Sequence, residues 1–468
     1  MLFRSLVRYA ESLGHEFDFP IPNAWRYRDY VIRALNHDVP FDQFGKEHIA
    51  GDLLPQPRID PRTLQNESVQ GTAFWWFPEQ THSPVDAKQH QSNRIDNQVD
   101  VLGKAFLGMT VACARCHDHK FDAIRSSDYY SFFGFVKSSR YVQQPVFATP
   151  TELAAATERA QRELAAKAEI PAEAAEVAPL APGDRLLADL STAPWTGMRR
   201  IGDGFGEGPW QGPFVRATGE RTILVHQLPG SWAVSASLAP ERQGVLLSPD
   251  FTIDRKYLHV EVAGENARIL VVYDGFHLAR DPLYGEFHRG VGNPSPHWIT
   301  IPLGTRQGGR AHVQCIDQRA QDLADPDHER SEYPTQGWIA VRRIVLSDSD
   351  QPPELVRGKT RSASLPRGDQ SIAAAAARWL DLVSQLPPAE TLPGMADGSG
   401  EDEYVYLRGD HKKHGPLARR RFLEALAGDS PMDLPCGSGR LQLAEAIFAP
   451  EDPLPARVFV NQIGRAHV

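Results

Sequence analysis

Cys113, Cys116 and His117 stand in the run FLGMTVACARCHDHKFDAI, and Cys-x-x-Cys-His is the attachment signature of a c-type haem. Two thiols one helical turn apart can add to the two vinyl groups of a porphyrin, and the adjacent imidazole can ligate the iron as its proximal ligand. The same residues permit two other readings. Cys113, Cys116, His117 and His119 are all nitrogen or sulfur ligands of the kind Zn²⁺ takes, although one short segment rarely closes a tetrahedron. In an oxidising compartment the two thiols could simply form a disulfide.

A sixth iron ligand is not fixed by the pattern. His119 is too close in sequence to wrap over the opposite ring face, and reads better as a group bonded to nearby backbone or carboxylates. Met109, one turn before Cys113, shares that difficulty. His15, His37, His48, His82 and His90 are sterically freer, but in a chain of 17 histidines each is first a surface residue. A five-coordinate iron, open to ligands, is the other option. Asp118, His119, Lys120 and Asp122 could tune the iron's potential or be a solvated turn. Trp25, Tyr27, Tyr30, Trp75 and Trp76 could wall a haem pocket or a sugar cleft, though aromatic residues at helical spacing are more often core.

These residues must be positioned by elements that the rest of the chain supplies. Its 468 residues suggest about three domains. The hydrophobic content of 41% and charged content of 23% are those of ordinary globular protein. A net charge of −9 leaves no basic stripe for nucleic acid, and no apolar run is long enough to span a bilayer. Serine hydrolase, phosphate-loop and dinucleotide fingerprints are not evident. The Gly202–Gly208 run is Gly-rich but has no strand before it and helix after it.

Helical spacing predicts helices over Trp25–Leu35, Ile95–Met109 and Ser126–Val136. Residues 151–178 are rich in Ala and Glu, with Thr151 as N-cap, and read as a solvated helical linker that Pro171 interrupts. Short strands separated by turn signals follow from 184 to 349: Gly244–Ser248, Tyr257–Val262, Arg268–Tyr273, Trp298–Leu303, His312–Ile316 and Ile339–Leu346. That density predicts a β-sandwich. Trp210, Trp232, Trp298 and Trp338 in it could stack on sugar rings, with Asp274, His277 and Tyr284 as hydrogen-bonding groups. The plainer reading of those residues is sandwich core and loop anchors. Residues 350–400 read as a Pro/Ala/Gly-rich link with one helix, Ile372–Leu386, and 401–462 as the start of a further unit.

Met1–Ser5 and Ile463–Val468 can be back-translated as near reverse complements that read as a short-read sequencing adaptor. The expectation is that the chain is an internal fragment, so the lack of a signal peptide at Met1 says nothing about export.

Three blocks together resemble the planctomycete cytochrome-like surface proteins. They are RYAESLGHEFDF…PNAWRYRDYVIRALNHDVPFDQF…EHIAGDLLP (Arg8–Pro55), VDVLGKAFLGMTVACARCHDHKFDAIRSSDYYSFFGF (Val99–Phe135) and YLRGDHKKHGP…SGRLQLAEAIFAPEDPLPARVFVN (Tyr406–Asn461). The chain departs from that family at Ala123, where the family often has Pro, and after Asn461. Arg408-Gly409-Asp410-His411 matches a fixed motif of the family's C-terminal domain, as a structural turn or the edge of an unknown pocket.

The resemblance implies a multidomain α plus β chain. A mostly helical cytochrome-like domain (6–150) is followed by a helical linker (151–183), a jelly-roll-like β-sandwich insert (184–349), a second link (350–400) and a truncated α-rich C-terminal domain (401–462). It implies an exported protein of the periplasm or cell surface that carries covalent haem c, with Cys113 and Cys116 as thioether anchors and His117 as proximal ligand. Electron transfer is the expected role, with polysaccharide as a candidate partner through Trp232, Asp274, His277, Tyr284 and Trp298, and with an unidentified redox partner. A glycan-binding scaffold with a Cys113–Cys116 disulfide, and a haem enzyme with an open iron, are the alternatives. The family is named for its domains and implies no reaction.

Overall fold

Tyr27, Tyr30, Val31 and Ala34 recur at three- and four-residue intervals, and they form the buried face of helix α1, Trp25–Asn36. The structure is a computed structural model that describes every residue except 1, 15–17, 19, 78–80, 82, 83, 172–174, 243, 277–283, 318–336, 435, 436 and 468. Helix α2, Phe41–Ala50, buries Phe44, Glu47, His48 and Ile49. Helix α3, Ala87–Leu102, begins at Asp86, whose carboxylate accepts the Gln89 N–H at 2.9 Å and so caps the first turn. Helix α4, Ser126–Lys137, buries Tyr129, Tyr130, Phe132, Phe133 and Phe135.

The helix predicted over Ile95–Met109 stops as an α-helix at Leu102. One π-helical turn, Gly103–Leu107, follows it and ends at Gly108 with φ +63°. The Met109 N–H returns to the Gly103 carbonyl at 3.1 Å. A Cβ on Gly103 would lie 2.8 Å from both the Met109 carbonyl oxygen and a Val111 methyl, so only glycine fits under this reversal. The π turn thereby swings the chain into the haem-type motif instead of carrying it on along the helix axis.

Two compact units emerge. One holds residues 1–146, 274–276 and 391–468; the other holds 147–273 and 277–390. The segment 401–462, expected as a further unit, therefore folds with the N-terminal helices. Four contacts account for this. Strand Ser139–Pro145 pairs antiparallel with Thr391–Asp397 along its whole length. The fully buried Arg440 donates to both carboxylate oxygens of Asp52 at 2.8 and 2.7 Å, and to the Ile49 carbonyl at 3.0 Å. Arg421 pairs with the buried Asp128, and Lys137 with Glu403 at 2.6 Å. Each of these cations has its own carboxylate, which offsets much of the cost of withdrawing it from water.

The second unit contains two six-stranded antiparallel sheets. One runs in the order His297–Pro302, Tyr257–Glu265, Trp338–Ser347, Ser231–Val234, Trp210–Gln211, with Arg185–Asp189 also paired to Trp338–Ser347. The other runs His288–Val291, Ala267–Tyr273, Arg310–Ile316, Gly244–Leu247, Arg199–Gly202, with Phe251–Thr252 on Arg310–Ile316. Strands Ala267–Tyr273 and Arg310–Ile316 lie against Trp338–Ser347, which is buried along its length.

The two segments expected as linkers are core-forming. Helices Thr151–Ala166 and Gln370–Gln385 pack Ala160, Leu164, Ala165, Ile372, Ala376 and Trp379 against Val215, Ile223 and Val225 of a three-stranded sheet. Small apolar residues four apart give the Ala-rich helix a buried stripe that its charge content disguises. Pro150, not Thr151, occupies the N-cap position of that helix.

Candidate functional site

The motif lies on a 3₁₀ turn, Val111–Arg115, in the first unit. Val111 and Ala114 are buried beneath it, while Cys113, Cys116 and His117 face outward. Neither thiol is joined to another. The intervening Arg115 anchors the turn to α3, with Nη2 donating to Asn93 Oδ1 at 3.0 Å and Nη1 3.4 Å from the Asp96 carboxylate. Asp96 also accepts from Tyr129 at 2.7 Å, and Tyr130 donates to the Arg115 carbonyl at 3.1 Å. Two helices thus hold the arginine that lies between the two cysteines.

His117 donates from Nδ1 to the Asp118 carbonyl at 2.8 Å. In the neutral imidazole the ring proton is then on Nδ1 and Nε2 carries the lone pair, with no hydrogen-bond partner among the described residues. Metal-bound imidazoles are commonly fixed by this kind of Nδ1–H to carbonyl bond. His119 is committed elsewhere. Its Nδ1 accepts the backbone N–H groups of Phe121 (3.2 Å) and Asp122 (2.8 Å), and its Nε2 meets Thr110 Oγ1 at 3.0 Å. The Asp118 carboxylate accepts the Ser126 N–H at 2.8 Å, at the first turn of α4. Among the described residues, no group of three or more His, Cys, Asp or Glu is placed to hold a metal ion, so Cys113, Cys116, His117 and His119 do not form a four-ligand set.

Sequence reasoning missed how close a distant turn comes to the motif. The turn Leu407–Gly409 links strands Glu403–Tyr406 and His414–Ala418, and Gly409 lies against Cys116. Tyr130 reaches both sides, with its hydroxyl 3.1 Å from the Arg115 carbonyl and 3.4 Å from that of Tyr406. The Arg408-Gly409-Asp410-His411 pattern was the available signal, but nothing in it named its partner.

The other candidate ligands are placed as follows. His48 is fully buried, donates from Nδ1 to the Phe44 carbonyl at 2.7 Å and accepts from the Tyr27 hydroxyl at 3.0 Å. Burial pushes its pKa down to about 4. With both nitrogens engaged it is a core residue. His37 is exposed, His90 is buried on α3, and Met109 is half-buried. His15 and His82 lie outside the described residues. Tyr27, Tyr30, Trp75 and Trp76 are core, and Trp25 is exposed, with the Arg26 guanidinium 4.5 Å from its ring centre.

A polar cleft of about 420 Å³ opens along α3, lined by Asp86, Gln89, His90, Asn93, Arg94 and Asn97 among others. Asn93 is the residue that receives Arg115, so cleft and motif share one side chain.

In the second unit two of the candidate saccharide contacts, Trp232 and Tyr284, offer no open ring face. Trp232 is 1% exposed, in a cluster with Trp210, Phe214 and Trp338, and its indole N–H donates to the Pro229 carbonyl. Tyr284 is 2% exposed under the Arg306 guanidinium. Trp298 is half-buried beside Arg343. A ring with no open face cannot stack on a pyranose. Asp274 is buried and falls in the first unit, and His277 lies outside the described residues.

Residues 1–141 match the planctomycete cytochrome-like family model PSCyt2, described as a protein of unknown function (DUF1549). That match contains α1 to α4 and the whole motif. No curated protein matches the chain. Among solved structures, a mutant family 29 carbohydrate-binding module complexed with mannohexaose is 10% identical, with 36% of this chain and 94% of that one covered and a TM-score of 0.20. The K2 cleaved adhesin domain of Lys-gingipain is 13% identical, with 35% and 99% covered and a TM-score of 0.19. Likeness at those scores bears on neither fold nor function. No described helix is long and apolar enough to cross a membrane.

Proposed function

We propose that this chain is an exported c-type haem protein of the cell envelope that transfers electrons. Cys113 and Cys116 would hold haem c through thioethers, and Nε2 of His117 would ligate its iron. The observation that carries the reading is His117 itself: an exposed imidazole, next to two exposed free thiols, with Nδ1–H tied to a carbonyl and Nε2 open. This donor set fits the group. A bound haem supplies one-electron redox chemistry at the iron.

The remaining work falls to the protein. The Asp118 carbonyl orients the His117 ring and raises its basicity as a ligand. Thr110 and His119 pin the loop that follows the motif. Arg115, held by Asn93 and Asp96, keeps the two thiols on the outer face of the turn. Phe121, 83% exposed, offers an apolar ring beside the motif, with the Lys120 ammonium 5.2 Å from its centre. Each thioether would form by addition of S–H across a vinyl C=C, so attachment would consume no oxidant.

The test is intact-protein mass after export in a host that matures c-type cytochromes. The reading expects the mass of one haem on the wild type and none on the Cys113→Ser/Cys116→Ser double variant. His117→Ala should keep the added mass where attachment succeeds, but change the iron's absorption spectrum. An unmodified wild-type chain with a Cys113–Cys116 disulfide would overturn the reading in favour of a non-redox scaffold.

A further inference from the structure

Arg94 is a buried cation that no carboxylate among the described residues pairs with. It is 5% exposed on α3. Its Nη1 donates to the Gly275 carbonyl at 2.8 Å, and the guanidinium lies 4.6 Å from the centre of the Tyr141 ring. Its Nε is buried with no acceptor, and among the described residues no carboxylate pairs with it. Of the other buried arginines of this unit, Arg421 and Arg440 each have an aspartate. Burying a charge alone is costly, and an arginine fork with idle donors is suited to a carboxylate.

The cleft that Arg94 lines is rich in donors. Asn93 Oδ1 already accepts from Gln89 (2.9 Å) and Arg115 (3.0 Å), which leaves its amide N–H groups for a ligand. Asn97 adds a second amide. Asp86 is the one carboxylate among the described lining residues. It is occupied by the Gln89 N–H (2.9 Å), His411 (3.2 Å) and Lys412 (3.2 Å). A volume of about 420 Å³ is within the ~300–1,000 Å³ typical of small-molecule sites.

We propose that this cleft binds a small hydroxylated carboxylate, with Arg94 as its counter-charge and Asn93 and Asn97 donating to its oxygens. The inference does not depend on haem, and its test needs none. The full chain is titrated by calorimetry with D-galacturonate, L-malate and neutral D-galactose, which separates a sugar acid from a simple hydroxy acid. One or both acids should bind saturably and galactose should not. Arg94→Gln should weaken acid binding at least about tenfold, while the ligand-free melting temperature stays level or rises because an unpaired buried charge is gone. Asn97→Ala, at a half-buried site, should weaken the same acid several-fold and serves where Arg94→Gln does not fold. Binding of neither acid, equal binding of galactose, or unchanged acid affinity in whichever variants fold would overturn the proposal.

Discussion

Gly409 stands against the sulfur of Cys116: a Cβ built on it would lie 2.8 Å from Sγ, and its φ of +76° is in the left-handed region. Residues nearly three hundred positions apart thus meet at one atom of the haem-type motif. Gly409→Ala should cost about 1–2 kcal/mol in stability from the backbone alone. In the haem-free protein it should also slow alkylation of Cys116 relative to Cys113, read residue by residue by mass spectrometry. Equal rates in variant and wild type would show that the turn does not bear on the thiol. In the same experiment Cys315, buried and with its pKa pushed up to about 12, should react only after unfolding.

The Asp52–Arg440 pair helps fasten the C-terminal segment to the turn that follows α2. Asp52→Ala leaves the Arg440 guanidinium buried without its carboxylate and should cost about 3–5 kcal/mol. The double variant Asp52→Ala/Arg440→Met should recover much of that loss, because it removes the charge as well. Denaturant melts of the four proteins check this. Additive losses would mean the two residues do not act as a pair.

His48 makes the first unit sensitive to acid. Its folded pKa of about 4 lies below its unfolded value of 6.5, because burial among Phe44, Tyr27 and Phe106 disfavours the charged ring, while Phe44's carbonyl and Glu47 oppose that only in part. Above pH 6.5 both states are neutral and its contribution is complete. Between about 6.5 and 4 the unfolded chain binds the proton and the folded chain does not, so stability falls as pH falls. The loss is roughly 3 kcal/mol at its limit. His48→Phe should flatten the difference between denaturant midpoints at pH 7.5 and 4.5. An unchanged pH dependence would contradict the assignment.

Local features were legible in the sequence. Tyr27, Tyr30, Val31 and Ala34 announced α1 by their spacing, and the strand runs from Gly244 to Leu346 announced the sheets by their turn signals. Cys113, Cys116 and His117 announced themselves by type. What stayed hidden depends on partners far along the chain. Arg440 gives no sign that it will be buried on Asp52, nor Gly409 that it will meet Cys116. The helix Thr151–Ala166 looked solvated because its polar face is conspicuous and its alanine stripe is not. Trp232 looked like a sugar platform because a tryptophan's type says nothing of whether its faces are covered.

The central claim is covalent haem at Cys113 and Cys116. The most direct measurement is a pyridine haemochrome spectrum of the purified protein, taken before and after acid–acetone extraction, beside the Cys113→Ser/Cys116→Ser variant. The account predicts a c-type α-band that survives extraction in the wild type and is absent from the variant. A colourless wild-type protein, or a haem that extraction removes, would contradict it.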